Sequence, residues 1–374
     1  MSETNPTADY MRMKGGGYYS KATIGAKHVI DGATPMILDA LADMTIEPSD
    51  RPFTVADMGC ADGGTSIDMI RTVLSAVRRR VPERPLRMVY TDLPRNDFSQ
   101  VFRNAYGLSD LEGLTQSIPE LYIYASATSF HQGIFPPGTL HLGFSATASH
   151  YISEVPCSIS NHVHMVGATG AERDAFVEQG RRDWTSMLLN RARELALGGK
   201  LALFNFGIDE AGRYLGGTGG IDMFDTFDRL WQQLRDRGVI TQAEYRNTNF
   251  PQTYRTVEQF TEPFNDPQHP VYRAGLRLEH VETRVVRCPF AEDFERHGDA
   301  ERFAREYIPT LRSWSEATFL GGLDPSRPPE QAEAIADEYF NSYEDEVRRA
   351  PHGHAMDYVH CYLILRKDAD TPPR

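Results

Sequence analysis

Residues 53–66 read FTVADMGCADGGTS, and most of the architecture follows from them. Phe53, Val55 and Met58 give the apolar character of a buried strand, after which the chain breaks into small residues and glycines. Ile67, Ile70, Val73, Leu74, Val77 and Val81 then recur at spacings of three and four, which predicts a helix. A strand that feeds a helix through a glycine-rich turn leaves backbone N–H groups free beside the positive end of the helix dipole. Such a turn binds the polar end of a nucleotide-like ligand.

Working outward, LRMVYTDLP, LYIYASATSF, TLHLGFSATASHYI and KLALFNFG read as further strands, with helical stretches between. One long amphipathic helix is expected over 171–197, stopped by Gly198-Gly199 as a C-cap. This alternation predicts an α/β fold, a parallel sheet with helices on both faces. In such sheets ligands bind beyond the carboxyl ends of the strands. Residues Asp57–Gly64, Asp92–Leu93, Ser129–Phe130 and Ser145–Tyr151 should therefore gather at one site.

Four segments are expected: 1–50 as a lid or substrate segment, 51–207 as the nucleotide-binding core, 208–350 as a mainly helical cap, and 351–374. The cap lends a strand near 276–288, and the last segment brings a strand that completes the sheet edge, then a disordered tail. Tyr18, Tyr19 and Lys21 favour a lid over a mere linker, because aromatic residues are depleted in disordered tails.

Composition narrows the function. With 39 basic and 52 acidic side chains the net charge is −13, which argues against a nucleic-acid partner. No apolar run approaches the ~20 residues of a membrane span, and the first residues lack the apolar core of a signal peptide. Cys60, Cys157, Cys288 and Cys361 are scattered without metal spacing, so reduced thiols, no metal and a cytoplasmic protein are expected.

Three readings of the glycine loop compete. A phosphate-binding P-loop lacks its lysine, and a dinucleotide fingerprint lacks its second glycine, since Gly59 is followed by Cys60-Ala61. S-adenosylmethionine carries no pyrophosphate, and its positive sulfonium suits carboxylates such as Asp57 and Asp62. Asp92 could accept both ribose hydroxyls, with Leu93 along the adenine. A turn or helix cap would account for either strand-end aspartate alone; both together favour this cofactor.

The motifs MKGG at 13–16, DMGCADGG at 57–64, TDLPRNDF at 91–98, TSFHQGIFP at 128–136, SHYISEVP at 149–156 and RARELALGGKLAL at 191–203 occur in that order. Together the chain resembles the SABATH methyltransferases, the salicylate, benzoate, jasmonate and theobromine methyltransferases of plants and their relatives. That resemblance implies a Rossmann-like class I methyltransferase sheet with a helical cap, often a homodimer. It implies methyl transfer from S-adenosylmethionine to a small-molecule carboxylic acid, leaving S-adenosylhomocysteine. Cofactor contacts are expected from Lys21, Asp57, Gly59, Asp62, Gly63, Asp92, Leu93, Ser129, Phe130 and Ser145. Substrate contacts are expected from His28, Thr147, His150, Tyr151, Met223, Phe224 and Trp314.

Departures fall on the substrate side. An Asn-Ser pair becomes Ile24-Gly25, the glutamine that usually reaches the carboxylate falls on His28, and the tryptophan beside it falls on Tyr151. A carboxylate is already ionised at neutral pH, so His28, His150 and Tyr151 are expected to position it rather than act as bases. A nitrogen or phenol methyltransferase, and a non-catalytic cofactor-binding protein, stay open as alternatives.

Overall fold

The computed structural model describes residues 23–369, so Lys21 and the rest of the first 22 residues lie outside it. In chain order the elements are α1 (Ile24–Ala42), β1 (Phe53–Met58), α2 (Ile67–Arg80), β2 (Leu86–Asp92), α3 (Phe98–Ala105), β3 (Leu121–Ala127) and β4 (Leu140–Ala146). There follow α4 (Gly170–Glu194), β5 (Leu195–Ile208), α5 (Met223–Asp236), α6 (Gln242–Asn247), β6 (Arg255–Thr256), α7 (Val257–Asn265) and α8 (Pro270–Arg273). The chain closes with β7 (Leu276–Val286), α9 (Pro289–His297), α10 (Ala300–Gly322), α11 (Pro329–Arg349) and β8 (Tyr358–Lys367).

The strands form one sheet in the order β3-β2-β1-β4-β5-β8-β7, with the short β6 on β5. Strands β1 to β5 run parallel, whereas β8 is antiparallel to both β5 and β7. Successive side chains point to opposite faces, so each strand divides its residues between two cores. Val55, Ala202 and Phe204 pack against α1, α2 and the cap aromatics. Ala56, Leu201, Leu203 and Leu363 pack against Trp184 and Leu188 of α4 and Phe260 of α7. Each fully buried Val, Leu or Phe side chain among these contributes about 1.5–3 kcal/mol.

The cap has its own aromatic core. Trp231 of α5, Phe319 of α10 and Tyr339 of α11 are fully buried, with ring centroids of Phe319 and Tyr339 4.3 Å apart. Glu244 closes the capping box of α6 and accepts from the Arg327 guanidinium at 2.5 Å, tying α6 to the α10–α11 connection. That guanidinium holds the Glu244 carboxyl down to about 2.

Two expectations change. The long helix ends at Glu194, not 197, and Gly198-Gly199 lie inside β5. The β4–β5 register shifts between Leu140 and Leu142, and Gly198 takes φ +75°, so the glycine pair is an irregularity in a strand rather than a helix cap. The final strand is not at the edge. Tyr358–Leu365 are buried on both faces between β5 and β7, and the half-exposed β7 is the edge. The charges that suggested an edge sit at its end, where Arg366 pairs with Glu279 at 2.7 Å.

Candidate functional site

Strand order reverses between β1 and β4, the point where an open parallel sheet leaves a crevice at its carboxyl ends. Two adjoining cavities open there. The first encloses about 610 Å³ of free space, mouth included. Gly59 and Ala61 from the loop after β1, Asp92 and Leu93 from the end of β2, and Ser129 to His131 after β3 form three of its sides. Thr147, Ala148 and Tyr151 after β4 form the fourth.

The loop is built tightly. The N–H groups of Gly59 and Cys60 donate to the Thr91 carbonyl at 2.8 and 3.1 Å. Gly59 has φ +82°, and a Cβ there would meet the Ala148 Cβ at 2.6 Å, so no side chain fits. The Asp92 carboxylate accepts from the Ala61 N–H at 2.8 Å and from the Leu93 N–H at 2.7 Å, one bond to each oxygen. Each oxygen keeps a further lone pair for the cavity.

Opposite, an ion pair fixes the wall after β3. Arg191 of α4 binds Glu194 through two N–H groups at 2.7 and 2.8 Å, and both are buried. The same guanidinium donates to the carbonyls of Phe130 and Gln132, and Glu194 accepts from the Ile134 N–H at 2.6 Å. Motif residues 191–194 thus hold the segment that carries Ser129 and Phe130.

The second cavity encloses about 400 Å³ of free space, mouth included, and shares Thr147 and Tyr151 with the first. Its walls are mostly apolar: Ala26, Phe206, Leu215, Trp314, Met356 and Tyr358. Polar groups come from Thr23, His150, Gln252 and the shared pair. Gly25 explains how Tyr358 reaches this wall, since a Cβ at Gly25 would lie 2.2 Å from the Tyr358 ring. His150 is buried among Tyr151, Phe206 and Tyr254, and burial holds its imidazole well below the usual histidine range. It is a neutral group at physiological pH.

A family described as SAM dependent carboxyl methyltransferase matches residues 8–368. The chain belongs to that family. It is 25% identical over 316 residues to gibberellic acid methyltransferase 1 of Arabidopsis thaliana, covering 76% of this chain and 80% of that one. Gibberellic acid methyltransferase 2 of the same plant is 25% identical over 61% of this chain, and the alignment spans 63% of that relative's length. Loganic acid O-methyltransferase of Catharanthus roseus is 25% identical over 66% of this chain and 70% of its own. A solved structure of loganic acid methyltransferase with S-adenosylhomocysteine superposes with a TM-score of 0.75 at 21% identity, covering 96% of this chain and 99% of that one.

This carboxyl methyltransferase therefore uses S-adenosylmethionine to O-methylate small-molecule carboxylic acids, on a class I methyltransferase fold. Its first cavity fits that cofactor: a glycine cradle that a Cβ would fill, a two-oxygen carboxylate at Asp92, and apolar Leu93 and Phe130. No helix among the described residues is long and apolar enough to cross a membrane.

Several residues expected at the site stand behind it. Asp57 does not line the cavity; it accepts the Ser66 O–H at 2.5 Å beneath the loop. Asp62 turns back on its own loop, accepting from the Gly64 N–H at 3.0 Å, and Gly63 packs under Tyr90. Ser145 donates to the Met58 carbonyl at 2.7 Å and so ties β4 to β1. On the substrate side His28 is exposed and lines neither cavity, because Ala26, Val29, Ile30 and Ala33 set the inward face of α1. Met223 and Phe224 are fully buried in a second layer, with Phe224 stacked on His164 at 3.9 Å. Thr147, His150, Tyr151 and Trp314 do line the second cavity.

Burial pushes the Asp57 carboxyl up to about 7, aided by the charge of Asp92, and pushes Asp92 up to about 6. Both folded values lie above the ordinary 3.8, so the folded chain without cofactor holds protons that an unfolded chain has lost between about pH 4 and 7. The carboxylate forms attract a cation, so cationic cofactor binding tightens as pH rises through this window. Global stability is a poor readout, because buried His150, His164 and His360 have lowered values and act with the opposite sign. The expected result is that S-adenosylmethionine affinity rises about 10-fold from pH 5.5 to 7.5 by calorimetry. S-adenosylhomocysteine, without the sulfonium, should change clearly less; equal pH profiles for the two would contradict the electrostatic account.

Proposed function

We propose that the chain esterifies an apolar, ring-bearing carboxylic acid held in the second cavity, with the cofactor in the first. The observation that carries this reading is the wall common to both cavities, Thr147 and Tyr151. Ligands seated in two cavities that meet at the same pair of residues can bring their reactive ends together there, which is what an in-line displacement requires. The cofactor, when bound, supplies a methyl carbon activated by its positive sulfur.

The protein's residues orient and enclose. In this reading Asp92 accepts the ribose hydroxyls, Leu93 and Phe130 flank the adenine, and Gly59 and Ala61 admit the methionine end. His150 and Tyr151 direct the carboxylate, while Phe206, Trp314, Met356 and Tyr358 wall off water and match an apolar ring. An ionised carboxylate needs no base. A nitrogen or phenol acceptor would gain from one, and a buried imidazole held well below its usual range is a weak base. Ester formation is therefore the better supported chemistry.

The test is transfer of labelled methyl from S-adenosylmethionine to benzoate, indole-3-acetate, gibberellic acid and loganic acid. Methyl esters release their label as methanol in mild base, whereas N-methyl groups and phenol ethers keep it. Base-labile product with at least one acid is expected; only base-stable product would overturn the reading. Assembly as a homodimer is part of the same proposal, to be read from sedimentation.

A further inference from the structure

The helix position from which the family resemblance implies an amide to the substrate carboxylate carries His28, which is exposed. Another amide stands on the opposite wall of the second cavity. Gln252 lies in the connection between α6 and β6 and bridges Tyr151 in antiparallel fashion. The Ile152 N–H donates to the Pro251 carbonyl at 3.0 Å, and the Thr253 N–H to the His150 carbonyl at 2.8 Å. These bonds seat Gln252 beside Tyr151, at the cavity end next to the cofactor space.

Its orientation is set from behind. The Val166 N–H donates to His164 Nδ1 at 3.3 Å, which leaves the imidazole proton on Nε2. His164 Nε2–H then donates to Gln252 Oε1 at 3.3 Å, and the Tyr254 hydroxyl donates to the same oxygen at 3.4 Å. Gln252 lines the cavity, and with its oxygen engaged by these two donors its NH2 group is the part left to meet a ligand. Phe224 stacks on His164 with an interplanar angle of 16°, holding the imidazole that holds the amide.

We infer that Gln252 donates to the acid's carboxylate and orients it for methyl transfer, taking over the role that the outward turn of His28 leaves open. This assignment rests on the ester-forming reading above. His164 is a positioning residue, acting through Gln252 without touching the substrate.

The test uses the full chain with the four acids named above. Gln252→Leu should lower kcat/KM about 10- to 100-fold for an acid the wild type methylates, chiefly through KM. Gln252→Glu keeps the oxygen that His164 and Tyr254 engage, so it preserves the fold, but it presents a carboxylate to a carboxylate. Its loss should equal or exceed that of Leu. Gln252→His should recover part of the activity by restoring an N–H, and His164→Phe should raise KM while leaving cofactor affinity within two-fold of wild type. Wild-type transfer with Gln252→Glu and Gln252→Leu both within three-fold of wild type overturns the assignment alone. Absence of transfer by the wild type to any of the acids overturns the ester-forming reading and this assignment together.

Discussion

Asp92→Ala is expected to weaken S-adenosylmethionine binding about 100-fold in calorimetry. A carboxylate offers the two acceptors that a ribose diol needs, and hydrogen bonds to a charged group are worth about 1.5–3 kcal/mol each. The substitution also frees the N–H groups of Ala61 and Leu93, so the loop after β1 loses its anchor to the end of β2. Asp92→Asn keeps one acceptor and should lose only about 10-fold on the same scale. Cofactor affinity unchanged in Asp92→Ala would show that the ribose lies elsewhere.

The second large effect concerns stability. Arg191→Met should destabilise the protein by about 3–5 kcal/mol in denaturant titration, because it leaves a buried carboxylate at Glu194 without its partner. Cofactor affinity should fall too, since Phe130 and Gln132 lose their clamp. Pairing it with Glu194→Gln removes the stranded charge, so the double variant should recover most of the stability. A loss below about 1 kcal/mol in the single variant would refute the clamp.

Much of this was legible because some residues admit one explanation. Gly59 sits where a Cβ collides with Ala148, so the glycine in DMGCADGG is a backbone requirement and marks the loop directly. Asp92 at the end of β2 faces the cavity for the same topological reason that Gly59 does. Asp57 misled because acidic residues near a cation site read alike in sequence, whether they face the ligand or, as here, bind Ser66 beneath the loop. His28 misled because one position along a helix is a rotation of about 100°, and α1 buries the faces on either side of it. Gln252 was missed because nothing periodic surrounds it; its place comes from one bridge to Tyr151, a contact about a hundred positions away in the chain. Arg191 could have been found earlier, since an arginine and a glutamate three apart, ending a helix before an apolar strand, are candidates for a buried bidentate pair.

The burial of β8 between β5 and β7 has a consequence for biogenesis. During synthesis β5 emerges with one side unpaired, and β7 follows with no neighbour at all, because the strand that joins them is encoded by Tyr358–Lys367. Until those residues leave the ribosome the nascent chain carries two open strand edges, the kind that other chains can pair with. Tyr358–Lys367 is thus the keystone of the sheet, and the nascent chain stays vulnerable to aggregation until that strand has emerged and paired.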